Sequence, residues 1–285
     1  MSIRLLLNLL LLVVAGGLAL FIYLGTGKDS GTDQYSVSSI DPDTVSAIQL
    51  VRVQGETLDF IRRDGQWFIA GSPEQPADDF QVGTLLALVN AETDRHYPAS
   101  TLDLKTMGLL PPQATLLLDD ERFDIGSTNP LDRLRYVRHG DTVYLVMDRY
   151  QHLLNARRSN FIDRRLLPPD AVVTGLTLPG LSLRLDADNH WALQPADPAV
   201  SATAIRTLVS AWENARALYV REHTGYGGEP VNLWLKAASE PLKFTLHTEG
   251  TDIILARPDR GIQYHLSEAS GRQLLEFTSE QNNQL

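Results

Sequence analysis

Histidine has the widest catalytic and metal-binding range of the residue types in this sequence, and seven histidines are present. They are His96, His139, His152, His190, His223, His247 and His265. No two stand four residues apart or in a His-x-His pattern, which are the spacings that bring two imidazoles to one metal ion. The chain has no cysteine, which excludes disulfides, thiolate catalysis and iron–sulfur clusters. The sequence therefore indicates no metal ion, no other cofactor and no catalytic residue.

Arginine is concentrated in one part of this acidic chain. Within seventeen residues there is one opposing carboxylate, Asp163, and five arginines: Arg149, Arg157, Arg158, Arg164 and Arg165. Guanidinium groups pair with carboxylates in a bidentate geometry, so the cluster fits a junction where arginines bind acidic turns of two modules. It also fits a docking surface for an acidic partner or a polyanionic envelope polymer. We favour the junction.

Three of the four tryptophans are assigned to the core, and the fourth is a candidate exposed aromatic. Trp67 and Trp191 each stand just before a predicted helix, where they could stack on carbohydrate, but a duplicated aromatic in that place is more often core. Trp212 lies on the apolar stripe of the second helix and is also assigned to the core. Trp234 alternates with two leucines and, with Tyr226 in a glycine-rich loop, is a candidate exposed aromatic.

The elements that position these residues occur twice. Asp64-Gly65 precedes Trp67, and Asp188-Asn189 precedes Trp191, with a spacing of 124 residues between the tryptophans. Both pairs suit a hairpin turn that requires positive φ. The helices that follow carry apolar residues at i, i+3, i+4 and i+7, which gives each one apolar stripe. Alternating apolar residues predict strands at 46–53, 56–63, 66–70, 114–119, 121–126, 134–139 and 142–147, then at 172–178, 181–186, 190–194, 231–237, 241–247, 251–256 and 261–266. Helices are predicted at 79–93, 148–155, 201–216 and 267–277.

The amino terminus predicts a membrane span. Residues 5–24, from Leu5 to Leu24, contain one polar side chain, Asn8, and twenty helical residues span about 30 Å, the thickness of the hydrocarbon core. A cleavable signal peptide ending near residues 15–17 is the alternative, but apolarity continues past those small residues. We expect a single-pass membrane protein with a cytoplasmic amino terminus and a translocated bulk; the family resemblance described below implies a bacterial inner membrane and hence a periplasmic bulk.

Composition sets further bounds. The net charge of −10 argues against a nucleic-acid partner, which requires a basic face. The predicted fold class is α+β: two tandem modules of antiparallel sheet with a packed helix, behind one N-terminal transmembrane helix. The expected organisation is a signal anchor at 1–24, a flexible linker at 25–43, a first module at 44–156, a basic inter-module segment at 157–170, a second module at 171–277 and a frayed tail at 278–285.

Several motifs together resemble an uncharacterised bacterial family, catalogued as a domain of unknown function. They are the hairpin Asp64, Gly65 and Trp67, the run Pro76, Ala77 and Asp78 before the helix, the strand start Gly108, Leu109 and Pro111, and the segment 163–167. The resemblance implies membrane anchoring and genes that often lie beside ABC-transporter subunits of the gliding-motility type. It implies no catalytic residues.

The expected function is a non-catalytic extracytoplasmic scaffold or accessory subunit of an inner-membrane complex, with transporter subunits as partners. An envelope glycan- or peptide-binding module is one alternative, and an envelope enzyme is another. An open cleft between the modules, lined by Trp234 or Tyr226, would favour ligand binding.

Overall fold

The structure is a computed structural model that describes residues 34–223, 225, 227–236 and 238–277. The predicted membrane anchor at 1–24, the first part of the linker, Tyr226 and the tail at 278–285 lie outside these residues. Within the described ranges, no helix is both long and apolar enough to cross a bilayer. The described chain is mostly sheet with few helices, arranged as two large antiparallel sheets.

The first sheet has nine strands. The strands of this half of the chain are β1 (Tyr35–Ser36), β2 (Ala47–Arg52), β3 (Leu58–Arg63), β4 (Gln66–Ile69), β5 (Gln75–Pro76), β6 (Glu92–Thr93), β7 (His96–Pro98), β8 (Ala114–Leu118), β9 (Glu121–Thr128), β10 (Leu134–His139) and β11 (Thr142–Met147). Their order in the sheet is β5-β4-β3-β2-β8-β9-β10-β11-β7, while β1 pairs only with β6. Helix α1 (Asp79–Ala87) connects β5 to β6, and the short helix α2 (Gln151–Leu154) follows β11.

The second sheet repeats this topology. Its strands are β12 (Val173–Leu178), β13 (Leu181–Leu185), β14 (Trp191–Gln194), β15 (Tyr219–Glu222), β16 (Glu229–Leu235), β17 (Leu242–Glu249), β18 (Asp252–Arg257) and β19 (Ile262–Leu266). The order β14-β13-β12-β16-β17-β18-β19-β15 matches that of the first sheet once β5 is removed. Helix α3 (Ala202–Glu213) takes the place of α1, and α4 (Glu268–Leu275) takes the place of α2.

Local chemistry explains the elements that the sequence predicted. The hairpin between β3 and β4 turns through Asp64 and Gly65, whose φ angles are +49° and +79°, and Asn189 has the corresponding positive φ of +60°. Helix α1 stops at Ala87, six residues before its predicted end. The carbonyls of Val89 and Ala91 accept hydrogen bonds from the incoming chain and so cannot continue the helix.

Each half begins with a short extended segment that pairs with the chain leaving its long helix. We call residues 35–38 and 164–167 the leading segments. In the first half, Val37 donates its backbone N–H to Ala91 O at 3.2 Å. In the second half, Leu166 donates to Ala215 O at 3.1 Å. Part of the region predicted as linker therefore belongs to the fold, because Val37 is apolar and only 1% exposed.

One apolar core runs through both halves. It joins residues from both sheets with side chains of the connecting segment, including Phe60, Phe161, Trp212 and Phe244. The rings of Phe60 and Phe161 meet edge to face at 5.2 Å, which ties the connecting segment to the first sheet. A smaller cluster on the outer face of the first sheet holds the loop that crosses from β7 to β8. The sheets are consequently fixed to each other through side chains as well as through the chain.

Candidate functional site

The segment between the two halves is the part of the fold that carries most of the sequence-predicted arginines. Its backbone is bonded to both sides: Asp78 N to Phe161 O (2.7 Å), Asp163 N to Pro76 O (2.9 Å), Leu166 N to Ala215 O (3.1 Å) and Ala217 N to Arg164 O (2.8 Å). The first two bonds reach the residues that precede α1, and the last two reach the residues that follow α3. The segment is thus an extended strip laid between the start of one helix and the end of the other.

Arg164 contacts the first helix. Its Nε lies 3.4 Å from Oδ2 of Asp78, whose other oxygen accepts the backbone N–H groups of Phe80 at 3.0 Å and Gln81 at 3.3 Å. Asp78 is 4% exposed and Arg164 has 43% of its side chain exposed. One carboxylate therefore caps α1 and binds the connecting segment, and its charge also complements the positive end of the helix dipole.

Arg165 closes the same cluster from the next position. Its Nε donates to Oδ2 of Asp163 at 2.6 Å, and its guanidinium lies 4.0 Å from Asp79 on the first turn of α1. Asp163 is nearly buried and accepts the backbone N–H of Arg165 as well, at 3.0 Å. These pairs match the interpretation of Arg164 and Arg165 as junction residues.

The other three arginines of the cluster are not brought to this place together. Arg158 donates to the carbonyls of Ala70 at 2.8 Å and Ile69 at 3.3 Å, so it holds the end of β4. Arg157 is exposed at the start of a short 3-10 turn. Arg149 is exposed beside Met147, with its Nε 3.1 Å from the thioether sulfur. Arg158 also lines a cleft with Arg260 and Ile262 of the second half, so three of the five arginines lie where the halves meet, whereas Arg149 and Arg157 are exposed.

A cleft of about 210 Å³ opens beside this cluster, between the two halves. The first half supplies Trp67 and Asp79, and the second half supplies Tyr264, Arg257 and Arg260. Tyr264 is 5% exposed, and its burial raises the pKa of the phenol. The cleft combines aromatic walls with guanidinium groups, a pairing that suits an anionic or hydroxyl-rich group.

The guanidinium groups of the cleft differ in whether they already bind a carboxylate. Arg257 forms a two-pronged pair with Asp259, at 2.9 and 2.7 Å, and this hydrogen bonding lowers the pKa of that carboxyl. The side chain of Arg260 makes no hydrogen bond or ion pair with any residue that the structure describes. Its backbone carbonyl accepts the side-chain N–H of Gln75 at 2.7 Å, a further bond across the junction. Arg260 is accordingly the cation of this cleft that could accept a ligand.

The tryptophans occupy four different environments. Trp67 is 6% exposed beneath α1, and the Arg62 guanidinium lies 5.8 Å from its ring. Trp212 is fully buried and donates its indole N–H to Leu274 O at 2.8 Å. Trp191 is only half-buried, because β14 is the edge strand of its sheet. It still packs against the core.

Trp234 does not line the cleft between the halves. It lies half-buried on the second sheet, over Gly175 and beneath the guanidinium of Arg184, which is 3.7 Å from its ring. This cation–π contact covers the face that would stack on a ligand. Tyr226 lies outside the described residues. The aromatic residues that do line the cleft, Trp67, Phe68 and Tyr264, were not assigned there from the sequence.

Sequence reasoning missed the cleft because half of it comes from the turn between β18 and β19. The repeat offered one signal, since Tyr264 corresponds to Tyr144 of the first half. That signal identifies equivalent strands but does not show how the halves dock. Among the described residues, no group of three or more histidine, aspartate or glutamate side chains could hold a metal ion.

Comparison with known proteins gives a family and no activity. No curated protein and no solved structure matches the chain. The sequence profile of the family described as "Domain of unknown function (DUF4340)" matches residues 67–230, more than half of the 285 residues. The matched region holds α1, the connecting segment and most of the strands up to the start of β16. On this match, the chain belongs to the DUF4340 family.

Proposed function

We propose that this protein is a non-catalytic scaffold or accessory subunit, anchored in the bacterial inner membrane with its bulk in the periplasm. The observation that carries the proposal is the junction between the two sheets. Backbone hydrogen bonds, ion pairs and one continuous core hold the two halves in a fixed arrangement, so that together they present a single surface. A fixed surface of two repeated sheets suits the binding of a large partner, since rigid surfaces lose little conformational freedom on association.

An inner-membrane transport complex is the proposed partner. The resemblance of the motifs around Trp67, Asp78 and Gly108 to membrane-anchored family members supports this choice, as does the apolar stretch at 5–24. The orientation we propose is a cytoplasmic amino terminus followed by one span. ABC-type transporter subunits are the class of partner that this resemblance suggests.

Affinity purification of the full chain from membranes in mild detergent tests the proposal. We expect a transporter subunit to co-purify in a fixed ratio. The double variant Arg164→Ala, Arg165→Ala should lower the recovery of that partner, because the halves lose their fixed orientation. A matched control is Arg138→Ala, which changes an exposed arginine that bonds only to the carbonyl of Gly140. Recovery of the protein alone at every detergent concentration would argue against a scaffold role.

The cleft favours a second candidate, binding of an envelope glycan or peptide fragment. Arg260, Trp67 and Tyr264 would supply the cation and the aromatic walls. The volume of about 210 Å³ is below the 300–1,000 Å³ that is usual for ligand sites, which is why the scaffold is preferred. Calorimetric titration with peptidoglycan fragments would test this candidate. Heat that disappears in Arg260→Ala would support it, and the absence of heat with the unaltered protein would exclude that ligand class.

A further inference from the structure

Exposed apolar side chains collect at one end of the first sheet. The antiparallel register places the end of β2, the start of β8, the end of β9 and the end of β11 at this same end. We define the loop-end patch as Val53 (66% exposed), Leu110 (60%), Leu131 (93%) and Met147 (59%), which lie on or beside the loops there. Four large apolar side chains exposed on loops at the same end of a sheet make this end a candidate contact surface.

The charges at this end are unevenly paired. Asp148 is bound by the buried Arg135, with both of its oxygens 2.8 Å from the guanidinium. Asp132 forms an ion pair with Arg95. Arg133 and Arg149, by contrast, are exposed and make no ion pair with any described residue. Two cations beside the apolar patch are therefore available for phosphate groups.

The chain outside the structure leaves the fold close to the patch. The ring of Tyr35 lies 4.1 Å from that of His96, which is adjacent to Arg95, the partner of Asp132. Tyr35 also pairs with Thr93, whose hydroxyl donates to Leu145 O at 2.6 Å. Ten residues, 25–34, separate this point from the apolar stretch at 5–24, and ten extended residues reach at most about 35 Å.

We infer that the loop-end patch is a membrane-contacting surface, which inserts its apolar tips at the bilayer interface and binds lipid phosphates through Arg133 and Arg149. The inference rests on the proposed membrane anchor, whose connection enters the fold at Tyr35, beside His96 of the edge strand β7. Isolated side chains on separate loop tips suit insertion among lipid headgroups better than they suit a flat protein interface. Tyr35 has the amphipathic character of residues that lie at membrane interfaces.

The absence of cysteine makes a direct test possible. Leu131→Cys and Phe80→Cys each place one thiol on an exposed apolar position, the first in the patch and the second on α1 at the junction. Each full-length variant is labelled with an environment-sensitive fluorophore and reconstituted into vesicles of phosphatidylglycerol and phosphatidylethanolamine that carry nitroxide lipids. We expect blue-shifted emission and several-fold stronger quenching at position 131 than at position 80. In the 131 variant, Arg133→Ala with Arg149→Ala should reduce the quenching.

The outcomes separate the surface from the anchor. Equal quenching at both positions, in protein that resists alkaline extraction, would overturn the lipid-contact surface and leave the anchor intact. Extraction of the protein at alkaline pH would overturn both, since the reach argument depends on the anchor. A third outcome is that quenching is absent in pure lipid vesicles while position 131 is shielded from thiol reagents in native membranes. This result would assign the patch to a protein partner and overturn the lipid proposal.

Discussion

Replacing Asp78 with alanine removes two interactions that meet at one carboxylate. One is the cap of α1, where the side chain accepts from the backbone N–H groups of Phe80 and Gln81. The other is the ion pair with Arg164, at 3.4 Å, which links the connecting segment to the first half. Because Asp78 is 4% exposed, water cannot replace either interaction fully.

The expected loss follows from the two parts. Replacing a capping aspartate by alanine costs about 0.5–2 kcal/mol. The ion pair contributes about 0–1 kcal/mol, since 43% of the Arg164 side chain is exposed and solvent screens the attraction. The Asp78→Ala variant should therefore lose about 1–3 kcal/mol of the free energy of unfolding. Asp78→Asn keeps an equally good hydrogen-bonding cap, so it should lose only the contributions of the charge, which are the ion pair and the attraction to the helix dipole.

The second half offers a matched control. Ser201 caps α3 through its hydroxyl, which accepts from Ala204 N at 3.1 Å, and it has no arginine partner. Urea unfolding of the full chain in mild detergent, followed by tryptophan fluorescence, would compare Asp78→Ala, Asp78→Asn, Arg164→Ala and Ser201→Ala. A double-mutant cycle between Asp78 and Arg164 isolates their coupling. If Asp78→Ala costs no more than Ser201→Ala and the cycle shows no coupling, the ion pair does not stabilise the junction and our reasoning fails.

Three further predictions concern the first half. Trp67→Ala should lose about 3–5 kcal/mol of stability, measured by urea unfolding, because the ring is buried beneath α1. Burial raises the pKa of Asp148, but the hydrogen bonds from Arg135 and Thr128 and the charge of Arg135 together lower it below its ordinary value. The stability that the pair of Arg135 and Asp148 contributes should thus be complete above pH 3.8, the ordinary pKa of an aspartate, and should disappear as the pH falls below that value. In the same pH range, the free energy of unfolding of Arg135→Met should depend less on pH. Gly83→Ala should stabilise the protein by about 0.5–1 kcal/mol, since a methyl group at this position of α1 meets no neighbour. Gly126→Ala should destabilise it by about 1–3 kcal/mol, because a Cβ there collides with the backbone of the loop between β7 and β8. Thermal unfolding measures the stability of both glycine variants, and equal shifts of their melting temperatures would contradict the different surroundings of the two glycines.

The strands could be predicted from the sequence because their signals are local. Alternation of apolar residues and a positive-φ turn at Asp64 or Asn189 depend only on neighbouring residues, and each predicted strand is present in the structure. The two-residue strands β1, β5 and β6 were missed, and so were the edge strands β7 and β15. Both are short, and β7 is exposed along its whole length, so neither shows the apolar alternation that identifies a strand.

The cleft could not be predicted because it depends on how the two repeats dock. Tyr264, Arg257 and Arg260 lie far along the chain from Trp67, and their approach is set by the contacts of the connecting segment. The arginine cluster was recognised from composition, yet composition does not separate Arg149, on the loop end of the first sheet, from Arg164 at the junction. Only the register of the strands makes that separation.

The repeat itself explains why the arginines stand where they do. The two leading segments make equivalent bonds to the chain after α1 and after α3, so Tyr35 and Ser36 of the first correspond to Arg164 and Arg165 of the second. The first leading segment has no helix of a preceding copy beside it in the described chain, and it carries no arginine.

The helix caps show the same asymmetry. The second leading segment lies against the start of α1, and α1 is capped by the charged Asp78. The equivalent cap of α3 is the neutral Ser201. Opposite charges have thus been placed on both sides of the contact only where the two copies meet. A docking surface for an outside partner would need the arginines but would give no reason for a charged cap facing them. The paired difference therefore favours the junction as the role of Arg164 and Arg165 and leaves Arg149, beside Met147, and Arg157 as the exposed arginines of the cluster.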